Sequence, residues 1–131
     1  MGRARTRGVT LDTGALIGYE RRDPDSLVRI EQALDDGVPV TVPAPCLAEA
    51  WRGGPRSARL ARLRAHVAIE PLDESLAAQA GALLGRSGGH DAVDAAVVAG
   101  AAQRGDAVLT SDRDDIERLA AHVRHVQVMA V

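Results

Sequence analysis

Val9-Thr10-Leu11-Asp12-Thr13-Gly14-Ala15-Leu16-Ile17 changes its period at an acid. Val9 to Leu11 is a short β-prone run, whereas Gly14 to Ile17 has the apolar character of a helix rather than the alternation of a strand. A strand that ends at Asp12 and passes into a helix capped near Asp12 is the opening unit of an α/β fold. Working outward, Leu27, Ile30 and Leu34 recur at spacings of three and four, which predicts an amphipathic helix over 25–36 stopped by Gly37. A second strand is expected over 38–42. Pro43-Ala44-Pro45 suits the first turn of a helix carrying Glu49 and Trp51, with Gly53-Gly54-Pro55 ending it.

The second half repeats the alternation. An Arg-rich helix is expected over 56–65, a third strand over 67–70, and a helix capped by Asp73 that runs to about residue 84. Arg86-Ser87-Gly88-Gly89-His90 reads as a loop. An alanine-rich helix over 91–103 stops at Gly105, followed by a strand over 108–110, a helix over 112–121 and a closing strand over 123–128. Strands alternating with helices imply a mostly parallel sheet of about five strands covered on both faces, in a single domain. Functional sites in such sheets lie beyond the carboxyl ends of the strands. Asp12 and Asp112 both fall there.

Composition narrows the chemistry. The 131 residues suit one compact core, built without Phe and with Trp51 and Tyr19 as the only aromatics. All 16 cations are Arg against 18 acids, a net charge of −2, so a uniformly basic nucleic-acid surface is excluded. The absence of Lys excludes a P-loop lysine and Schiff-base chemistry. Cys46 stands alone, which rules out an intrachain disulfide or a cysteine zinc site. Arg3, Arg5 and Arg7 begin the chain, but Gly8-Val9-Thr10-Leu11-Asp12 follows instead of the apolar core of a signal peptide. No apolar run reaches the roughly 18 residues of a membrane helix. A cytoplasmic protein with no membrane contact is the expectation.

Four acids stand among apolar neighbours: Asp12 after Leu11, Glu49 in Cys46-Leu47-Ala48-Glu49-Ala50, Asp94 within Ala92-Val93-Asp94-Ala95-Ala96-Val97-Val98-Ala99, and Asp112 after Leu109-Thr110-Ser111. Burying ionised carboxylates together costs several kcal/mol each, on the order seen for unpaired buried charge, unless a cation joins them. All-oxygen ligation points to Mg²⁺, with Mn²⁺ as a substitute, and to metal-assisted hydrolysis of a phosphate ester. Each acid also has a plainer explanation. Asp12, Asp91 and Asp112 could cap helices, and Glu49 could be a surface residue. Asp94 is the hardest to explain away, since it lies beyond the cap position and is flanked by Ala and Val.

Four segments together resemble the PIN-domain family, of the kind that forms the toxin half of VapBC toxin–antitoxin pairs. Leu11-Asp12-Thr13-Gly14-Ala15-Leu16-Ile17 is similar to the opening motif, a hydrophobic residue, Asp, a hydroxyl residue, two free positions and Leu-Ile. Ala48-Glu49-Ala50 with Gly53 resembles the second, Asp94-Ala95-Ala96-Val97-Val98-Ala99 the third, and Leu109-Thr110-Ser111-Asp112 the fourth. The resemblance implies a Rossmann-like three-layer α/β/α sandwich and Mg²⁺-dependent endoribonuclease activity on RNA. It also implies a homodimer and inhibition by a cognate VapB-type antitoxin. Asp12, Glu49, Asp94 and Asp112 would then form the catalytic pocket, with Asp12 and Asp94 touching the metal and Thr13 and Ser111 orienting a carboxylate or water. The chain departs from the pattern after Asp112, where Ile116 stands in place of a frequent aromatic, and Asp91 is a possible fifth acid.

Other readings of the same residues compete with this one. A haloacid-dehalogenase-type phosphatase needs a second Asp where Gly14 stands, and a Lys. A non-catalytic PIN-like binding module would use the same acids as caps or as a docking site. Arg52, Arg56 and Arg59 are spaced to share a helical face that could meet RNA phosphates, or could simply be solvated. His66, His90, His122 and His125 show no metal-ligand spacing.

Overall fold

The computed structural model describes residues 7–131. Arg3 and Arg5 lie outside the described residues. Strands β1 (Val9–Leu11), β2 (Val40–Pro43), β3 (Ala68–Glu70), β4 (Ala107–Thr110) and β5 (Val128–Ala130) form one sheet in the order β3-β2-β1-β4-β5. Every pairing is parallel, so the sheet is wholly rather than mostly parallel. The helices are α1 (Thr13–Glu20), α2 (Pro24–Asp35), α3 (Ala44–Ala50), α4 (Ala58–Leu63), α5 (Glu74–Ser87), α6 (Ala92–Arg104) and α7 (Arg113–Ala120).

The chain builds from β1 outward to β2 and β3, then returns across the sheet to β4 and β5. Right-handed crossovers in opposite directions put their helices on opposite faces. The contacts follow that division: α1 touches α2, α3 and α4, while α6 touches α5 and α7. The result is a three-layer α/β/α sandwich whose strand order reverses between β1 and β4. Among the described residues no helix is long and apolar enough to cross a membrane.

Local chemistry explains the elements around the reversal. Asp73 caps α5 by accepting the Leu76 N–H at 2.9 Å, and Asp91 caps α6 by accepting the Asp94 N–H at 3.0 Å. Gly88 and Gly105, at φ +72° and +73°, end these helices in the left-handed conformation that glycine adopts without strain. Ala95, Ala96, Val97, Val98, Ala99, Gly100 and Ala101 of α6 are all buried. Their small side chains let α6 lie close against β1, β2 and β4.

Several expected boundaries move. The second strand starts at Val40 because the Val38 N–H closes α2 on Ala33 O. Trp51 is the C-cap of α3 in an extended conformation, not part of the helix. The Arg-rich segment is broken into a 3-10 turn over Gly54–Ser57, the short α4 and a second 3-10 turn over Arg64–His66. Arg52 and Arg56 therefore stand outside α4, and share no helical face with Arg59. α5 continues to Ser87 and absorbs the start of the expected loop. The closing strand lies at Val128–Ala130 instead of 123–128, since His122 and Val123 close the last turn of α7 and His125 turns the chain at φ +60°.

One partly buried ion network was not anticipated from sequence. Asp106, 3% exposed, accepts the Thr10 hydroxyl at 2.9 Å and Arg104 Nε at 2.9 Å. The same guanidinium donates to Thr10 Oγ1 at 2.8 Å and pairs with Glu70, so the end of α6 is tied to β1, β3 and the start of β4. Arg104→Met leaves Asp106 buried without its cation and is expected to lower stability by about 3 kcal/mol. Urea unfolding of the variant against the wild type measures the difference, and an unchanged midpoint would show that the network contributes nothing net.

Candidate active site

The reversal of strand order opens a crevice at the carboxyl ends of β1 and β4, which is where ligands bind in open parallel sheets. Asp12 follows β1 and Asp112 lies two residues beyond β4. α6 starts in the same place and carries Asp94 in its first turn. Asp94 is therefore a first-turn residue of a helix that only becomes fully buried from Ala95 onward, and Asp91 is its N-cap.

The acids differ in what holds them. Asp12 is 5% exposed and caps α1, with Oδ1 accepting the Ala15 N–H at 2.8 Å. Burial raises its carboxyl above the ordinary value, while the Thr110 hydroxyl and the backbone amides of Ala15 and Ser111 act in the opposite direction. The capping explanation for Asp12 is thus correct as far as it goes, yet it accounts for one oxygen only.

Asp94 is half-buried, and its carboxyl is pushed up to about 7, first by desolvation and then by the charges of Asp91, Asp12, Asp112 and Asp115. Asp112 stands at the N-cap position of α7 but makes no capping hydrogen bond with its side chain. Its carboxyl faces Asp115 instead, and their hydrogen bond and mutual charge raise Asp115. Asp115 was missed from sequence. The usable signal is its place three residues after Asp112, in the first turn of a helix.

Glu49 is exposed on α3 and stands at the other side of the cluster. The Thr13 hydroxyl donates to its Oε1 at 2.6 Å, so Thr13 orients Glu49. Thr13 also meets the buried Cys46, whose thiol is pushed up to about 12 by burial, with Asp12, Glu49 and Asp94 adding to the effect. A thiol so hard to ionise is a small apolar filler under the acids and not a nucleophile.

Asp12, Asp94 and Asp112 are thus brought within electrostatic reach of one another, together with Asp91 and Asp115. Among the described residues, no three His, Cys, Asp or Glu side chains are already gathered as a metal cage. Mg²⁺ does not require one, since it commonly keeps several waters and takes one or two carboxylates. The donor set is all oxygen, and every charge acting on Asp94 named above is negative, so the residues fit a hard divalent cation. Beside them lies a cavity of about 300 Å³, floored by Leu84 and Leu119 and rimmed by Gly88, Gly89 and His90.

Gly14 is required by this arrangement. A Cβ built on it would lie 1.7 Å from Ser111 Oγ and 2.8 Å from Ser111 Cβ. No second acid fits at that position, which removes the phosphatase reading on steric grounds. Gly14→Ala is expected to lose about 1–3 kcal/mol by overpacking. Gly14→Ala/Ser111→Gly should recover most of it in thermal melts, and equal losses in the single and double variants would contradict the contact.

Comparison with known proteins agrees with this architecture. The family model described as PIN domain matches residues 9–122. No curated protein matches the chain. Among solved structures, VapBC2 from Rickettsia felis, bound to a DNA fragment from its promoter, is similar with a TM-score of 0.71 at 14% identity, covering 94% of this chain and 98% of that one. FitAB bound to an IR36 DNA fragment gives 0.64 at 20% identity, covering 93% and 94%. FitAcB from Neisseria gonorrhoeae gives 0.59 at 22% identity, covering 92% and 96%. With most of its length matched by the family model and its acids at the strand-order reversal, this chain belongs to the PIN domain family, whose members are generally nucleases.

Proposed function

We propose that the chain is a Mg²⁺-dependent endoribonuclease that hydrolyses RNA phosphodiester bonds, the VapC-type toxin of a pair restrained by a cognate VapB-type antitoxin. The observation that carries the proposal is a contrast within the molecule. Buried Asp106 has Arg104, whereas Asp12 and Asp94 have no ion-pair partner among the described residues and are surrounded by further acids. Asp12 and Asp94 would hold the cation, Mg²⁺ or in substitution Mn²⁺. Bound there, it supplies Lewis acidity and neutralises charge on the phosphate. Asp112 lies beside Asp12 and Asp94 and adds to the negative field, while Thr13 fixes Glu49 at the far side of the pocket, where it can accept a proton from the attacking water. Likeness to the VapBC2 and FitAB assemblies supports a protein partner, and the homodimer comes with the same family resemblance.

Two observations favour a second reading, a non-catalytic PIN-like binding module: among the described residues the donors are not preassembled in threes, and Glu49 and Asp112 are exposed. Catalysis separates the two. Asp12→Asn and Asp94→Asn are each expected to reduce Mg²⁺-dependent cleavage of a labelled RNA by at least about 100-fold, the scale of a lost acid–base or metal contact, with circular dichroism unchanged. Full activity in both variants would reject the nuclease. The pH dependence has a defined sign. A proton on Asp94 competes with the cation, so cleavage at limiting Mg²⁺ should rise as pH passes through about 7 and level above it, and high Mg²⁺ should move the rise to lower pH. A flat profile across that window would show that no proton on Asp94 competes with the cation there.

A further inference from the structure

Glu49 also forms one wall of an open cleft of about 340 Å³ between the end of α1 and the turn after α3. Arg21, Arg52 and Arg56 line the same cleft. All three are exposed, and among the described residues none is paired with a carboxylate. Glu20 also lines the cleft but is already engaged: it accepts the backbone N–H groups of Arg59 and Leu60 and pairs with the Arg59 side chain. Among the described residues the Arg52 side chain makes a single hydrogen bond, from Nη1 to Trp51 O at 2.8 Å, which leaves most of the guanidinium donors free.

The turn that carries Arg52 and Arg56 is held in place. The Ser57 hydroxyl, fully buried, accepts the N–H groups of Arg52 and Gly53 at 2.8 and 3.0 Å. Three unpaired guanidinium groups on a fixed scaffold match phosphate oxyanions, which take the planar fork two bonds at a time. With only Trp51 and Tyr19 as aromatics, recognition through the backbone is favoured over base stacking.

We propose that Arg21, Arg52 and Arg56 form a phosphate track that holds the backbone of an RNA strand and leads it past Glu49 into the acidic pocket. The track rests on the nuclease reading above for the identity of the strand. It differs from the run of Arg52, Arg56 and Arg59 suggested by sequence spacing, since Arg59 is occupied by Glu20 and Arg21 joins from α1.

The test is fluorescence anisotropy of a labelled mixed-sequence single-stranded RNA in EDTA over a range of salt concentrations. Cleavage in Mg²⁺ is followed in parallel. Wild type is compared with Arg21→Gln/Arg52→Gln/Arg56→Gln and with Arg7→Gln/Arg29→Gln/Arg124→Gln, which removes the same charge from exposed sites elsewhere. The track variant should lose at least about tenfold in affinity and its log–log salt slope should fall by about 2, at about 0.7 per phosphate contact, with KM raised more than kcat is lowered. The control variant should stay near wild type. Equal losses in both variants would overturn the track, because binding would then follow net charge. Unchanged RNA binding by the track variant would also overturn it, and loss of binding to polyglutamate alone would assign the cleft to an acidic protein. If the track fails while Asp94→Asn still abolishes cleavage, the nuclease reading survives. A wild type that neither binds nor cleaves RNA removes both.

Discussion

Asp12 and Asp94 are taken partly out of water at one point of the sheet, and the charges around them are carboxylates. Much of the remaining structure follows from keeping them there. The protein demonstrably has another way to bury an acid: Asp106 is more deeply buried, and it receives a guanidinium and a hydroxyl. At the crevice that solution is withheld. Desolvation and like charge raise Asp94 to about 7, and the metal-free protein bears this as a pH-dependent loss of stability. A carboxyl raised in the folded state favours folding by its proton. The associated stability is full below the unfolded value of 3.8 and is lost as pH rises through about 7.

The sheet topology makes the crowding possible. Adjacent parallel strands β1 and β4 deliver Asp12 and the Ser111-Asp112 segment side by side, and Gly14 lets Ser111 pass within contact of α1. α6 brings Asp94 from the opposite layer. Its buried face of Ala, Val and Gly allows close approach to the strands, while Arg104 anchors its far end to Thr10, Asp106 and Glu70. A helix fixed at its carboxyl end and tightly packed along its length presents its first turn with little freedom. The Arg-bearing cleft that Glu49 also lines adds the complementary charge, so a chain with net charge −2 still gathers three guanidinium groups in one place.

Most of this was legible where a residue's role depends on neighbours close in sequence. The strand-to-helix change at Asp12, the caps at Asp73 and Asp91, and the glycine stops at Gly37 and Gly105 are all local, and the structure contains them. Asp94 was conspicuous because an acid interrupts a run of small aliphatics. What depends on distant partners was not visible. Thr10 and Asp106 are separated by 96 positions, and nothing in either segment marks their hydrogen bond. Asp115 lies among the acids at the start of an exposed helix, where charge is ordinary. The Arg face predicted from helical spacing dissolved because Gly53, Gly54 and Pro55 turn the chain before α4 begins. The last strand was placed too early, since Val123 and Val126 have strand-like character but Val123 closes the turn after α7 and Val126 lies in the irregular stretch before β5.

The central claim is that a divalent cation relieves repulsion among these acids. Thermal melting of wild type and Asp94→Asn, each in EDTA and in Mg²⁺, tests it most directly. Removing one charge from the cluster should raise the melting temperature in EDTA, and Mg²⁺ should stabilise the wild type while leaving Asp94→Asn nearly unchanged. A variant that melts lower than wild type in EDTA, or a wild type indifferent to Mg²⁺, would contradict the account.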